Sequence, residues 1–373
     1  MTTLGFTGDI AFSRHTKDAW QKPDLLDPAI VSYLRDTDCT VPNVEGALYR
    51  STGSGTFHHA SDPRAVDWLR KINGTLWNLA NNHVLDCGEE GLTSTMDLAE
   101  ANGCRTMGAD RDLDAVAQPR FVGNVGLISL CYQRDYCTDG EAPGCVFQDN
   151  DPRIRAAIET VRKTCRWCVI VVHSGEEFTS MPLPTHRDRY LRYLEMGADV
   201  VVGHHPHVVQ NYEIVAPGKM IFYSLGNFIF DTDYQRKQKY TDRGVLLRLR
   251  FGDDAFDWDS MAVRIDRATG RVVPGETPAI FTDIQSGLYE KLWPLAASVM
   301  HKNYRVKKAY GNPEREAFTD EQWQEYEREL AKDPLLPCAD MLLGERLLSD
   351  CGWESAPETL KSYLLSGVSD EAK

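Results

Sequence analysis

Residues 202–231, VGHHPHVVQNYEIVAPGKMIFYSLGNFIFD, place three histidines within four positions, directly behind the apolar run 198–202. A strand that ends in Gly203-His204-His205-Pro206-His207 delivers imidazoles to the rim of a sheet, where their ring nitrogens can bind a metal ion. Four other polar clusters follow strand-like runs: Gly8-Asp9, Asn43-Val44-Glu45, Asn81-Asn82-His83 and His173-Ser174-Gly175-Glu176. His205 and His207, at i and i+2 of an extended segment stiffened by Pro206, are expected to point to the same side. Taken singly, Gly8-Asp9 reads as a turn, Asn82-His83 as the cap of a helix near Gly91, and His173 as a core residue. Taken together, five strand ends that each carry an oxygen or nitrogen donor point to one shared metal centre. Carboxylate, amide oxygen and imidazole without thiolate suit one or two divalent ions, Mn²⁺, Mg²⁺, Fe²⁺ or Zn²⁺, and speak against a structural zinc site.

The elements that must position these groups are legible as alternating β-branched apolar runs and amphipathic stretches, which predicts a layered α/β architecture. Strands are expected over 4–7, 39–41, 75–79, 125–131, 168–172, 199–202, 220–224 and 244–250, with 257–265 and 271–273 closing a second sheet. Helices are expected over 28–35, 63–71, 91–102, 152–164 and 187–196. Asp62-Pro63 and Asp151-Pro152 read as an N-cap followed by proline in the first turn. Composition shifts near Thr277, and the charged helical pattern beyond Tyr289 predicts an accessory region. The expected division is 1–276 for the catalytic fold and 277–373 for a mainly helical C-terminal extension, with 302–315 and 366–373 its most mobile parts.

A chain of 373 residues with 42% hydrophobic and 26% charged residues is an ordinary globular protein. A formal net charge of −14 argues against nucleic acid as a partner, because phosphate backbones attract basic surfaces. The start MTTLGFTGDI has no basic and apolar leader, and no apolar run reaches the roughly 20 residues of a membrane helix, so a cytoplasmic protein without membrane contact is expected. Ten scattered cysteines then read as reduced thiols, Cys165-Arg166-Trp167-Cys168 included.

In this order the motifs resemble the CapA-like family named for poly-γ-glutamate capsule biosynthesis, within the calcineurin-like metallophosphoesterase superfamily. The match is closest over Gly203-His204-His205-Pro206-His207 and Tyr223-Ser224-Leu225-Gly226-Asn227-Phe228, and it covers roughly residues 3 to 265. The resemblance implies a four-layer α-β-β-α sandwich. It implies that Asp9 binds a first metal, Glu45 bridges, Asn82 and His173 bind a second, and His205 and His207 divide between them. It further implies that His83 is a proton donor oriented by Asp86. Glu176 and Glu177 are candidate bases or pocket ligands, and Asn43, His204, Tyr223 and Asn227 candidate pocket residues. The chain departs from the superfamily where Ala11 stands in place of a histidine two positions after Asp9, and where Asn43-Val44-Glu45 replaces Gly-Asp-x-x-Asp.

Two chemistries follow. A metal that polarises a carbonyl acidifies the α-proton, so bases on opposite faces would epimerise a residue. The family also resembles lasso-peptide epimerases, and a metal-dependent epimerase of a peptide, with or without a leader-binding partner protein, is the leading expectation. The alternative is metal-dependent hydrolysis of a phosphoester, an amide or a γ-glutamyl bond. A third reading is a non-catalytic binding protein that has kept the fold. Arg134 and Arg187, each near a motif, are candidates to meet a substrate carboxylate on that nearness alone. The tail tryptophans Trp293, Trp323 and Trp353 are expected to pack it onto the core.

Overall fold

The computed structural model describes residues 1–50, 58–133, 143–179, 181–236, 238, 240–278, 280–284 and 289. Two sheets face each other across a shared apolar core. In the larger one the strand order is Arg271–Pro274, Phe256–Asp266, Arg243–Phe251, Thr2–Ile10, Cys39–Val44, Leu76–Asn78 and Arg105–Met107. The last four strands run parallel, while the first three form antiparallel ladders with one another and with Thr2–Ile10. The expectation that 257–265 and 271–273 close a second sheet is therefore corrected. Phe256–Asp266 pairs with Arg243–Phe251 from Arg243↔Arg264 to Phe251↔Phe256 and so extends the first sheet.

The second sheet runs Tyr212–Ala216, Lys219–Phe222, Val200–His204, Trp167–His173, Val125–Cys131 and Arg120–Val122. Its four central strands are parallel. They read as almost unbroken Val/Ile/Leu runs because a parallel sheet covered on both faces has no solvated side to mark.

Alternation along Arg243–Phe251 shows the layering. Val245, Leu247, Leu249 and Phe251 enter the core shared with the second sheet, whereas Leu246 points to the opposite layer. Helices Pro28–Arg35, Val66–Lys71 and Gly88–Ala101 cover that outer face with Ile30, Leu34, Trp68, Leu69 and Leu92. Helices Asp151–Thr164 and Pro184–Met196 cover the second sheet with Ile154, Ile158, Val161, Tyr190 and Tyr193. The result is the four-layer α-β-β-α sandwich. Each layer exists because a half-apolar element must bury one face against the next.

Local sequence sets the entries. Asp27 accepts from the Ala29 amide, with Pro28 in the first turn, and Asp62 likewise caps the short turn Pro63–Ala65. The cap before Pro152 is Asn150, one residue earlier than expected. Asp151 instead pairs with Arg189 and Arg192 of the neighbouring helix.

Gly8 is required by a close approach: a Cβ there would lie 2.2 Å from the Gly226 carbonyl oxygen. That contact lets Asn227–Ile229 lie parallel beside the end of Thr2–Ile10, in register Asp9↔Asn227. The sandwich also continues beyond residue 276. Ile280, Phe281, Ile284 and Tyr289 are buried in the shared core, and the Tyr212 amide donates to the Thr282 carbonyl while the Ile284 amide donates to the Tyr212 carbonyl. Expectations for 290–373, the tail tryptophans included, and for Arg134 lie outside the described residues. Among the described residues no helix is long and apolar enough to cross a membrane, and the thiols of Cys39, Cys104, Cys165 and Cys168 are free.

Candidate metal centre

The C-terminal ends of parallel strands from both sheets open on the same side, and the polar clusters meet there. Asp9 is the penultimate residue of Thr2–Ile10, Glu45 lies one residue past Cys39–Val44, His173 ends Trp167–His173, and His204 ends Val200–His204. All four are buried to within 1% of complete. Asp9, Glu45 and His207 offer donor atoms that all lie within 4.8 Å of one another, and so do Glu177, His205 and His207.

The hydrogen-bond network fixes how these groups point. Asn227 donates to Gln235 Oε1 and to the Thr241 carbonyl, both at 2.8 Å. Its Oδ1 therefore faces His207 and accepts from Nδ1 at 3.0 Å. With that proton assigned, Nε2 is the His207 nitrogen turned towards Glu45 Oε1, at 3.8 Å. His207 Nδ1 also lies 3.1 Å from Asp9 Oδ2. One N–H aimed at Asn227 cannot serve both oxygens well, so Asp9 Oδ2 is left without a hydrogen bond.

Asn43 is pinned in the same manner. It accepts from Asn78 at 2.7 Å and donates to Asp9 Oδ1 at 2.8 Å, so it orients the Asp9 carboxylate. Its amide also meets His173 Nδ1 at 3.3 Å, which leaves His173 Nε2 as the donor to Asn82 Oδ1 at 2.9 Å. For His173 to bind an ion through Nε2, that proton has to leave and the Asn43 contact has to turn. His204 Nδ1 stands 3.3 Å from Asp9 Oδ1.

His83 donates from Nδ1 to Asp86 Oδ2 at 2.9 Å, and its Nε2 lies 3.8 Å from Glu45 Oε1. Asp86 also accepts the His59 amide at 2.7 Å, so the carboxylate is held from two sides and sets the ring in turn. Neither residue caps the following helix, whose N-cap position is Cys87 with no side-chain hydrogen bond.

Burial and charge oppose each other throughout the cluster. Burial alone would raise the Asp9 carboxyl, but the His204 and His207 imidazoles hold it well below the usual carboxylate range. Burial pushes Glu45 up to about 8. Burial would depress His207, yet the Glu45 and Asp9 carboxylates raise it to about 10. His173 and His205 fall well below the usual imidazole range, chiefly through burial, and are neutral. Burial would also lower His83, but the Asp86 and Glu45 carboxylates outweigh it and raise the imidazole.

The donor set fits a divalent ion on a direct observation. Asp9 Oδ2, both Glu45 carboxylate oxygens, His204 Nδ1 and His205 Nδ1 are buried without any hydrogen-bond partner. Orphaned buried polar atoms are rare and costly, and here they gather in one cluster.

Four expectations are corrected. His205 and His207 do not sit in an extended segment: both have positive φ, +99° and +56°. Their shared direction comes from left-handed backbone around Pro206 rather than from strand alternation. Tyr223 is no part of the pocket; its ring stacks on Tyr190 at 5.6 Å and its hydroxyl donates to Glu213 at 2.6 Å. Glu176 is exposed, and the next residue, Glu177, joins the histidines instead. Arg187 is likewise engaged, by a two-pronged pair with Glu213.

Sequence reasoning missed His59. It is buried, hydrogen-bonded to Ser13 at 2.7 Å, and edge-on to His83 at 4.4 Å. Its only signal was the pair His58-His59 ahead of a short strand. Phe230, Tyr132 and Phe178 wall the cluster. Phe230 and Phe178 lie 4.6 Å and 6.1 Å from His207, and Tyr132 lies 4.5 Å from His205.

The profile of the bacterial capsule synthesis protein PGA_cap family matches residues 3–232, the whole stretch that builds this centre. The chain belongs to that family. Among PGA_cap relatives, the capsule biosynthesis protein CapA of Bacillus anthracis is 27% identical over 252 residues, covering 63% of this chain and 61% of the relative. The PGA biosynthesis protein CapA of Bacillus subtilis (strain 168) is 28% identical over 252 residues, covering 63% and 64%. A protein of Mycobacterium tuberculosis (strain ATCC 25618 / H37Rv), described as a probable polyglutamine synthesis accessory protein, is 26% identical over 218 residues, 52% of this chain and 56% of that one. The chain thus spans about three fifths of the length of the curated PGA_cap relatives it matches. A solved structure of a Thermus thermophilus protein aligns at 9% identity and a TM-score of 0.39 over 74% of this chain and 98% of that one, a likeness too distant to bear on fold or chemistry.

Proposed function

We propose that this PGA_cap protein is a divalent-metal-dependent hydrolase, with an amide of the γ-glutamyl type as its preferred substrate class and a phosphoester as the second. The observation that carries the reading is the set of orphaned buried donors on Asp9, Glu45 and His205, gathered around His207 beside the His83–Asp86 pair. A divalent ion bound there supplies positive charge that polarises a scissile carbonyl or phosphoryl group and acidifies water.

The chain's own residues do the rest. Asp9 and Glu45 balance the charge of such an ion from the floor of the site. Asn43 and Asn227 keep Asp9 and His207 in one orientation. Asp86 holds Nδ1 of His83, so that its other nitrogen faces the cluster and holds a proton for a leaving amine or alkoxide. Phe178 and Phe230 keep water away from one wall.

The names of the CapA relatives, capsule and PGA biosynthesis, support a glutamate polymer as the setting. They lend nothing to the peptide epimerase that led the sequence expectations.

The test is to incubate the Mn²⁺-loaded protein with a γ-glutamyl oligomer and, separately, with an aryl phosphate. New amine termini or released phosphate, lost with chelator and with His83→Ala, support hydrolysis. Deuterium appearing at an α-carbon in D₂O without new termini would replace hydrolysis with epimerisation. Tight polymer binding with no turnover of any kind would leave a binding protein.

A further inference from the structure

We infer that Phe178 and Tyr234 form a specificity subsite at the rim of the polar cluster, built to receive an apolar side chain on the amine side of a γ-glutamyl amide. The inference rests on the hydrolase reading above and narrows its substrate class. Phe178 stands at φ +61°, a backbone region that a bulky non-glycine residue rarely enters. Its ring centre lies 6.1 Å from that of His207 with the planes only 24° apart, and Tyr234 meets it edge-on at 5.4 Å.

The backbone on both sides of Phe178 is fixed, so the direction of the ring is imposed on it. The Phe178 amide donates to the Pro206 carbonyl at 2.9 Å. The next residue, Thr179, donates from its hydroxyl to the Glu176 carbonyl at 2.9 Å, and its own carbonyl accepts from Gln210 at 2.7 Å. Gly175, at φ +135°, passes so close to the proline ring that a Cβ would lie 2.8 Å from Pro206 Cγ. Tyr234 is held from the other side. It lies in the one-turn helix Asp233–Arg236 beside Gln235, which is buried and accepts from Asn227, the residue that orients His207.

Core packing does not account for this arrangement. Neither Phe178 nor Tyr234 belongs to either apolar core of the sandwich, and both are half-buried. Backbone strain that persists without the return of core burial is a feature of ligand clamps. The two rings set the ligand chemistry. Their faces are electron-rich and repel a carboxylate, whereas an aliphatic or aromatic side chain gains by leaving water against them. Glu176 and Glu177 precede Phe178 on the same loop and add negative charge there. In a γ-glutamyl amide the acyl side is glutamate by definition, so the apolar group belongs to the residue on the amine side.

Equilibrium dialysis with γ-glutamyl-phenylalanine and γ-glutamyl-glutamate tests the assignment, on the Mn²⁺-loaded His83→Ala chain so that neither dipeptide is consumed. The phenylalanine dipeptide should bind about ten- to a hundredfold more tightly, the range that burying one apolar side chain supports. Phe178→Gly in that background should erase the preference. Glycine adopts positive φ without strain, so this variant should melt no earlier in chelator. If it does melt early, Tyr234→Ala, which leaves the strained backbone alone, should show the same loss of preference. Equal affinities, no binding of either dipeptide, or a preference that survives both substitutions overturn the subsite, while amine release from γ-glutamyl-glutamate by the unsubstituted chain would leave hydrolysis standing. A preference that depends on Phe178, with no amine released from either dipeptide by the unsubstituted chain, supports the subsite and overturns the hydrolase reading instead.

Discussion

Asn227→Ala should be among the most damaging single substitutions outside the apolar core, and its cost can be worked out contact by contact. Asn227 is fully buried and makes three hydrogen bonds: two donated at 2.8 Å to Gln235 Oε1 and the Thr241 carbonyl, one accepted at 3.0 Å from His207 Nδ1. Gln235 is 2% exposed and Thr241 fully buried, so water does not replace the missing amide without opening the structure. Truncation strands three buried polar groups at about 1–3 kcal/mol each. Because one relaxation can relieve more than one of them, the expected loss is about 3–5 kcal/mol, a large part of the roughly 5–15 kcal/mol that holds a domain folded. Urea unfolding in the presence of chelator reads this directly, since no ion then contributes by binding the native state. The midpoint should drop with the slope unchanged. A loss within about 0.5 kcal/mol, the scale of an ordinary surface change, would show that the triple contact is not what fixes Asn227, and the assignment of the Nδ1 proton of His207 to Asn227 would fall with it.

Mn²⁺ at about a hundred times its Kd should stabilise the chain by about 2.7 kcal/mol, and Asp9→Asn should abolish that gain in a thermal melt; equal stabilisation of both proteins would refute the centre. The ion-free chain should lose stability as pH rises from about 5 to about 10. Glu45, raised to about 8, contributes stability below its ordinary 4.5 that is lost as pH climbs through 8, and His207, raised from 6.5 to about 10, does the same through 10. The melting gap between ion-loaded and ion-free protein should therefore widen with pH, because binding displaces those protons; a gap that narrows contradicts the assignment. His83→Ala should cut turnover by about 10²–10⁴-fold and Asp86→Asn by about 10–100-fold, both with Mn²⁺ uptake unchanged in dialysis; a parallel loss of uptake would make His83 a ligand instead.

The residues of the polar cluster were legible because each sits where a readable strand stops. A parallel strand buried on both faces appears as a β-branched run, and the first polar residues after it are the ones delivered to the open end of the sheet. That logic singled out the strand-end clusters that hold Asp9, Glu45, Asn82, His173 and His207; the metal-binding roles given to them one by one came from the family resemblance. It failed where the chain leaves regular structure. Inside Gly203-His204-His205-Pro206-His207 the period-2 rule no longer applies, since φ turns positive at His205 and again at His207. The same failure left Glu176 and Glu177 undistinguished, because the bend at Gly175 is invisible to periodicity. Tyr223 was misplaced for a different reason: proximity in sequence to the metal loop says nothing about which face of a strand a side chain takes. The final hairpin joined the first sheet because Arg243–Phe251 lies beside Thr2–Ile10, a long-range pairing that no local pattern encodes.

Residues 282–284 give the outermost strand of the second sheet, Tyr212–Ala216, its last partner: main-chain bonds link Tyr212 to Thr282 and Ile284, and the Asp283 side chain takes the Ile214 amide. They act as a selvedge that stops the fabric from unravelling. Ile214 and Val215 already show 55% and 40% of their surface to solvent, so a chain cut at residue 276 would present a greasy, unhemmed border with free amides, the template on which a neighbouring molecule adds a strand of its own. Shortening the protein to its apparent catalytic half would thus be expected to trade a monodisperse sample for one that self-associates.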